Sequence, residues 1–104
     1  KFFLAINTSM SNDCRWYHWG DIDFGAFNML ARLRREINPH ILPYRMNKEE
    51  LISHDKYCIK IKKPYVDKLK HIIGKSELTD CTACIQYMID KKVRLEQEAM
   101  LLIE

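Results

Sequence analysis

A chain of 104 residues, 47% apolar and 30% charged, is long enough for one domain with a modest core and too short for two. Its longest apolar run near the N-terminus, FFLAI, is shorter than a membrane span or the apolar stretch of a signal peptide, which excludes an integral membrane protein and predicts a cytoplasmic globular one. The 17 basic and 14 acidic residues give a net charge of +3, which permits contact with nucleic acid without demanding it, and the basic residues gather at ARLRR, KIKKPY and DKKVR.

In chain order, a short helix is predicted over about Lys1 to Met10, followed by a polar turn at SNDCR. Residues 15–22 are aromatic and β-branched and apolar on both faces, the pattern of a central strand in a parallel sheet. Phe24, Phe27, Leu30, Leu33 and Ile37 recur at steps of three and four, with Arg32, Arg34, Arg35 and Glu36 off that stripe, so an amphipathic helix packed on the sheet comes next. Pro39 disfavours helical geometry at Asn38, and HILPYRM reads as a second strand, parallel to the first through a right-handed crossover. The remainder is predicted to be mostly helical: NKEELISH with Asn47 as cap, PYVDKLKHIIG with Pro64 in the first turn and Gly74 at the stop, TDCTACIQYMIDKK, and RLEQEAMLLIE. The fold class is therefore α/β, with parallel strands, packed helices and a helical C-terminal part.

Four cysteines, Cys14, Cys58, Cys81 and Cys84, do not suggest a disulfide framework in a chain with no export signal. Cys81 and Cys84 form a CxxC, but no second CxxC or paired histidines accompany it. Their spacing places both on one buried helix face, which predicts a packing role. Tyr17, Tyr44 and His18 lie in or beside the strands, where packing is also the expected role.

Gly20-Asp21-Ile22-Asp23, followed by Phe24 and Gly25, is the segment with chemical content. Two aspartates two apart on extended backbone project to the same side and can reach one cation. Their mutual repulsion becomes favourable binding when a hard divalent ion lies between them. The carboxyl end of a parallel strand is also where open α/β sheets bind ligands. The alternative is structural, with Asp23 capping the helix that starts at Phe24 and Asp21 pairing with an arginine. Gly20 and Gly25 flank the pair where backbone must turn or let another group approach.

The stretch YHWGDIDFGAFNMLARLRREINPHILPYRMNKEELISH resembles the Toprim region in the C-terminal domain of the nuclease subunit of Wadjet anti-plasmid defence systems, JetD, and VRLEQEAML extends the likeness toward the C-terminus. That family is distantly similar to the cleavage subunits of topoisomerase VI and its relatives. The resemblance implies a partial Toprim (Rossmann-like) fold and a Mg²⁺ or Mn²⁺ site at Asp21 and Asp23, with Gly20 and Gly25 shaping the turn. It also implies cleavage of double-stranded DNA delivered by a structural-maintenance-of-chromosomes type complex, and it leaves room for a homodimer. Glu96 and Glu98 match acidic positions of the C-terminal segment, where ion pairing on a helix surface is the expected role.

Toprim domains of this kind also place a glutamate after an upstream strand, and no glutamate precedes Asp21 here. FFLAINTSM lies too close to Asp21 to be that strand and is read as a helix. Residues 1–104 are thus expected to be the C-terminal part of a larger nuclease domain, defective when alone. The reaction expected of an intact site is metal-assisted phosphodiester hydrolysis. A non-catalytic Toprim-like scaffold that holds DNA or a protein partner is the competing function. A response-regulator-like phosphate-binding module ranks last, because its lysine at a strand end is not evident.

Overall fold

The computed structural model describes residues 2–7 and 14–101, so the first three residues of the turn expected at SNDCR and the last residues of the C-terminal helix lie outside it, while Cys14 and Arg15 of that expected turn belong to a strand. The first element is a strand, β1 (Phe2–Asn7), not the helix expected over residues 1–10. It pairs antiparallel with β2 (Cys14–Trp19), from Phe2 opposite Trp19 to Asn7 opposite Cys14. The physical reason lies in composition and length: FFLAIN is aromatic and apolar and six residues long, too short to hold a helix alone and suited to a pleated edge.

β2 is central, as expected, and on its other side it pairs parallel with β3 (Leu42–Pro43), with Tyr17 opposite Leu42 and His18 opposite Pro43. The helix between them, α1, runs Phe24–Glu36. It buries Ala26, Phe27, Leu30 and Ala31, while Ile37 is 68% exposed at the C-cap, so the packed stripe is rotated toward the alanines from the one expected through Ile37. Small side chains on the inner face leave room for the neighbouring helices, and the larger ones at the rim stay half-wet. His18 is buried, and Tyr44 meets the rings of Tyr17 and Trp19 edge-on at 6.1 and 5.5 Å, which are packing roles.

Past β3 the chain turns through Asn47, whose side chain accepts from the Glu50 amide and caps α2 (Lys48–Ser53). A two-residue strand β4 (Ile59–Lys60) leads into α3 (Lys63–Ile72), with Pro64 in its first turn as expected. A 3-10 turn over Ser76–Cys81 precedes α4 (Thr82–Lys91). The segment expected to be wholly helical at the end divides into β5 (Val93–Arg94), antiparallel to β4, and α5 (Gln97–Leu101). The core draws on all of these: Leu51, Leu69, Ile72, Leu78, Ile85, Met88, Leu95 and Met100 pack with the inner face of α1.

Cys81 and Cys84 are both buried and unbonded, with burial pushing the Cys81 thiol up to about 12 and the Cys84 thiol up as well. Both side chains belong to the hydrophobic core, so the CxxC is a packing feature.

Two connections do much to hold the layers together. Arg34, 10% exposed, donates from Nε to the Ile41 carbonyl (2.8 Å), from Nη1 to the Glu77 carbonyl (2.6 Å), and as a fork to both Asp80 carboxylate oxygens (2.7 and 2.9 Å). Arg45 forks onto Glu50 (3.0 and 3.2 Å) and reaches the Met100 carbonyl (3.3 Å), tying α2 to α5.

Lys92, the C-cap of α4, sits in the left-handed region at φ 56, which costs a residue bearing a Cβ and costs glycine nothing. Lys92→Gly is expected to stabilise the domain by about 0.5–1 kcal/mol, measured as a higher urea midpoint with an unchanged slope; a lower midpoint would show that the Lys92 side chain contributes more than its backbone strain costs.

Candidate functional site

The acidic turn begins where β2 ends. Gly20 is buried, Ile22 is fully buried, and Asp21 and Asp23 are each half-buried on either side of Ile22. One fully buried apolar residue is thus set between two half-buried carboxylates. Ile22 forms an antiparallel bridge with Leu95, its amide donating to the Leu95 carbonyl (2.7 Å) and the Leu95 amide returning the bond (3.0 Å). The turn is thereby pinned to the extension of β5.

Each carboxylate is held through one oxygen by a backbone donor. Asp23 is the N-cap of α1, in extended conformation, and its Oδ1 accepts from the Ala26 amide at 2.8 Å. Asp21 Oδ1 accepts from the Gln97 amide at 2.7 Å, at the start of α5. The structural alternative is thus half realised: Asp23 caps, while Asp21 takes a main-chain donor in place of an arginine. These bonds fix the orientation of both groups and engage only Oδ1, which is how carboxylates that hold a cation are usually supported from behind.

Gly20 and Gly25 flank the pair without using left-handed backbone, since no described glycine has positive φ; Gly25 lies in the first turn of α1. Glu96 is exposed and 3.9 Å from Arg94, and Glu98 is exposed in the first turn of α5. Among the described residues no cluster of three or more histidine, cysteine or acidic side chains is arranged to hold a metal, so the structure does not bring Glu96 or Glu98 together with the aspartates.

Tyr65 is the residue that sequence reasoning passed over. Its hydroxyl oxygen accepts from the Phe24 amide at 2.8 Å, so α3 is bonded to the amide next to Asp23. Burial pushes the Tyr65 phenol up, with the negative charges of Asp23 and Asp21 adding to the effect and Arg94 opposing it. The phenol keeps its proton at neutral pH, and with Oη already accepting from Phe24, that proton is available to an oxygen acceptor at the turn. Nothing in the sequence announces a pairing between residues 41 positions apart.

A divalent cation fits this turn to a limited extent. Asp21 and Asp23 would supply carboxylate oxygens, and water or a phosphate would have to fill the remaining positions of a hard ion. The groove of about 520 Å³ beside Arg34, Pro39 and Asp80 is no rival, because its arginine and aspartate are already paired with each other.

No helix among the described residues is long and apolar enough to cross a membrane. No solved structure matches the chain. The Wadjet protein JetD of Bacillus cereus (strain Q1) is 26% identical over 84 residues, which make up 81% of this chain and 20% of that protein, so the chain spans about a fifth of that curated relative's length. The family described as Wadjet protein JetD, C-terminal, matches residues 4–103, from within β1 to beyond α5. With the acidic turn, the crossover helix and the C-terminal segment that anchors Asp21 all inside that match, the chain belongs to the JetD C-terminal family.

Proposed function

We propose that this domain is the carboxylate-bearing part of a Toprim-type, metal-dependent DNA endonuclease acting in a Wadjet-type plasmid-defence system, where a structural-maintenance-of-chromosomes type complex delivers double-stranded DNA. One observation carries the reading: Asp21 and Asp23 flank a buried residue at the end of β2, each steadied through Oδ1 by a backbone amide. Membership of the JetD C-terminal family supports it.

On this reading Asp21 and Asp23 hold Mg²⁺ or Mn²⁺, and the buried Ile22–Leu95 bridge keeps their separation fixed. The bound ion would supply Lewis-acid polarisation of the scissile phosphodiester and a more acidic water. Tyr65 steadies the amide that follows Asp23 and can donate its proton to a phosphate oxygen. A non-catalytic scaffold is the second reading, favoured by the lack of a third acidic group beside the pair among the described residues.

The test is a thermal melt with Mg²⁺ or Mn²⁺ against the Asp21→Asn/Asp23→Asn double variant. Asparagine keeps an oxygen for the Ala26 and Gln97 amides and is itself a good cap, so the fold is retained while the charge is removed. A cation at ten times its Kd adds about 1.4 kcal/mol, roughly 5–10 °C in Tm for a domain of this size. That rise is expected in the wild type and absent in the variant. An equal rise in both would place the cation elsewhere and leave the pair structural.

A further inference from the structure

Between α1 and α3, starting at the residue after Asp23, lies a groove of about 270 Å³ lined by Phe24, Asn28, Lys68, His71, Ile72 and Lys75. Phe24 and Asn28 are one helical turn apart on α1, and Lys68 and His71 are one turn apart on α3. Lys75 closes the far end, just past the α3 C-terminus. The floor is apolar, and the Lys68 ammonium stands 5.7 Å from the centre of the Phe24 ring. No carboxylate lines it. α3 is held against the acidic turn by the Tyr65–Phe24 bond, one turn before Lys68, so the groove adjoins the turn.

We infer that this groove binds the phosphodiester backbone of duplex DNA and leads it to the Asp21–Asp23 turn, with Lys68 and Lys75 neutralising phosphates and Asn28 donating to a phosphate oxygen. The assignment rests on the nuclease reading and deepens it. Two carboxylates repel an approaching polyanion, so a nuclease built on them needs fixed positive charge beside the site and no further acid there. The groove at Phe24 meets both requirements.

A second basic groove, on the other side of α3, provides the contrast. It is lined by Lys62, Lys63, Lys70 and Lys92, but it also contains Asp67, whose carboxylate takes Lys63 Nζ at 3.1 Å, and it does not include Phe24 or any residue of the acidic turn. Between residues 59 and 75 there are six lysines and one acid, so net charge alone would attract DNA to either groove. Position beside the turn and the absence of a lining carboxylate separate the first groove from the second. An acidic peptide is a weaker fit to the first groove, because its carboxylates would be led toward Asp21 and Asp23 with no chemistry to follow.

The experiment measures binding of a labelled 30-base-pair duplex to the 104-residue chain by fluorescence anisotropy, in chelator, over a range of salt. Lys68→Glu/Lys75→Glu is expected to weaken binding at least tenfold and to flatten the log Kd against log salt slope by about 2, while Lys62→Glu/Lys70→Glu weakens it less than threefold. Lys68→Gln/Lys75→Gln guards against a folding defect and should lose about half as much. Inorganic phosphate at the same ionic strength should compete no better than chloride, since a backbone track needs several phosphates at once. Equal losses from the two glutamate pairs would overturn the groove in favour of diffuse charge. Unchanged binding in Lys68→Glu/Lys75→Glu, or no binding by the wild type, would also overturn it. The Asp21→Asn/Asp23→Asn variant, expected to lack the metal-dependent Tm rise, should bind DNA in chelator at least as tightly as wild type, so failure of the groove and failure of the metal site read out separately.

Discussion

Arg34→Met should destabilise the domain by about 2–3 kcal/mol, lowering Tm by roughly 10–20 °C, with the urea slope unchanged. The Arg34 side chain is nearly buried and joins the Ile41 carbonyl, the Glu77 carbonyl and both Asp80 oxygens through one guanidinium. Its loss removes the side-chain donor to two carbonyls and the forked partner of Asp80, to which only the weak Cys81 thiol donor at 3.6 Å and backbone remain, where α1, the approach to β3 and the 3-10 turn before α4 converge. Arg34→Lys should recover less than half, because a single ammonium cannot reproduce the fork. The same pair makes stability depend on acid. The hydrogen bond from Arg34 holds the Asp80 carboxyl below its ordinary value of 3.8, so its contribution is fully present above that value and is lost as pH falls through the lower folded value. Wild-type stability should therefore decline below about pH 4, and Asp80→Asn should be less stable at pH 7 with a shallower acid decline. A midpoint for Arg34→Met within 0.5 kcal/mol of wild type would show that water replaces these bonds without loss.

The second large effect concerns cutting. In a protein that joins this domain to the further length its relatives carry, Asp21→Asn or Asp23→Asn is expected to lower metal-dependent cleavage of circular DNA by on the order of a hundredfold or more. The folded fraction should change little, for the reason given for the melt: both backbone amides keep an oxygen acceptor. The alanine variants would also lose those caps, at about 1 kcal/mol each, and so mix folding with chemistry. The 104-residue chain alone is expected not to cut, since two carboxylates leave the ion's position relative to the phosphate loosely set. Cutting that survives both asparagine changes in the longer protein would move the reaction away from this turn. Vigorous cutting by the 104-residue chain would mean that a third ligand lies within it, with Glu96 and Glu98 the first to substitute.

Local signals in the sequence located most of the helices. Asp23 and Asn47 cap where cap residues precede apolar periodicity, Pro64 opens α3, and both cysteines of the CxxC are buried, although Cys81 ends the 3-10 turn and only Cys84 lies in α4. β1 was misread because FFLAIN has the composition of either a short apolar helix or a strand, and only its pairing with β2 decides. β4 and β5 are two residues each, too short to leave a period, and they exist because they meet one another across the chain. The same limit applies at the site. The spacing of Asp21 and Asp23 was legible, while the groups that steady them, Gln97 for Asp21 and Tyr65 for the amide after Asp23, come from 76 and 41 residues away and carry no local mark.

The Asp21–Gln97 bond also sets a timetable for biosynthesis. A ribosome makes β2, α1 and β3 early, but neither the amide that steadies Asp21 nor the Leu95 strand that pins Ile22 exists until translation has passed almost through the described chain. A nascent chain can therefore cap α1 with Asp23 early but carries Asp21 without its partner, and the turn matures only when its last-made neighbour folds back onto it. For a domain proposed to cut DNA, this delays competence until nearly all of the described chain has been made.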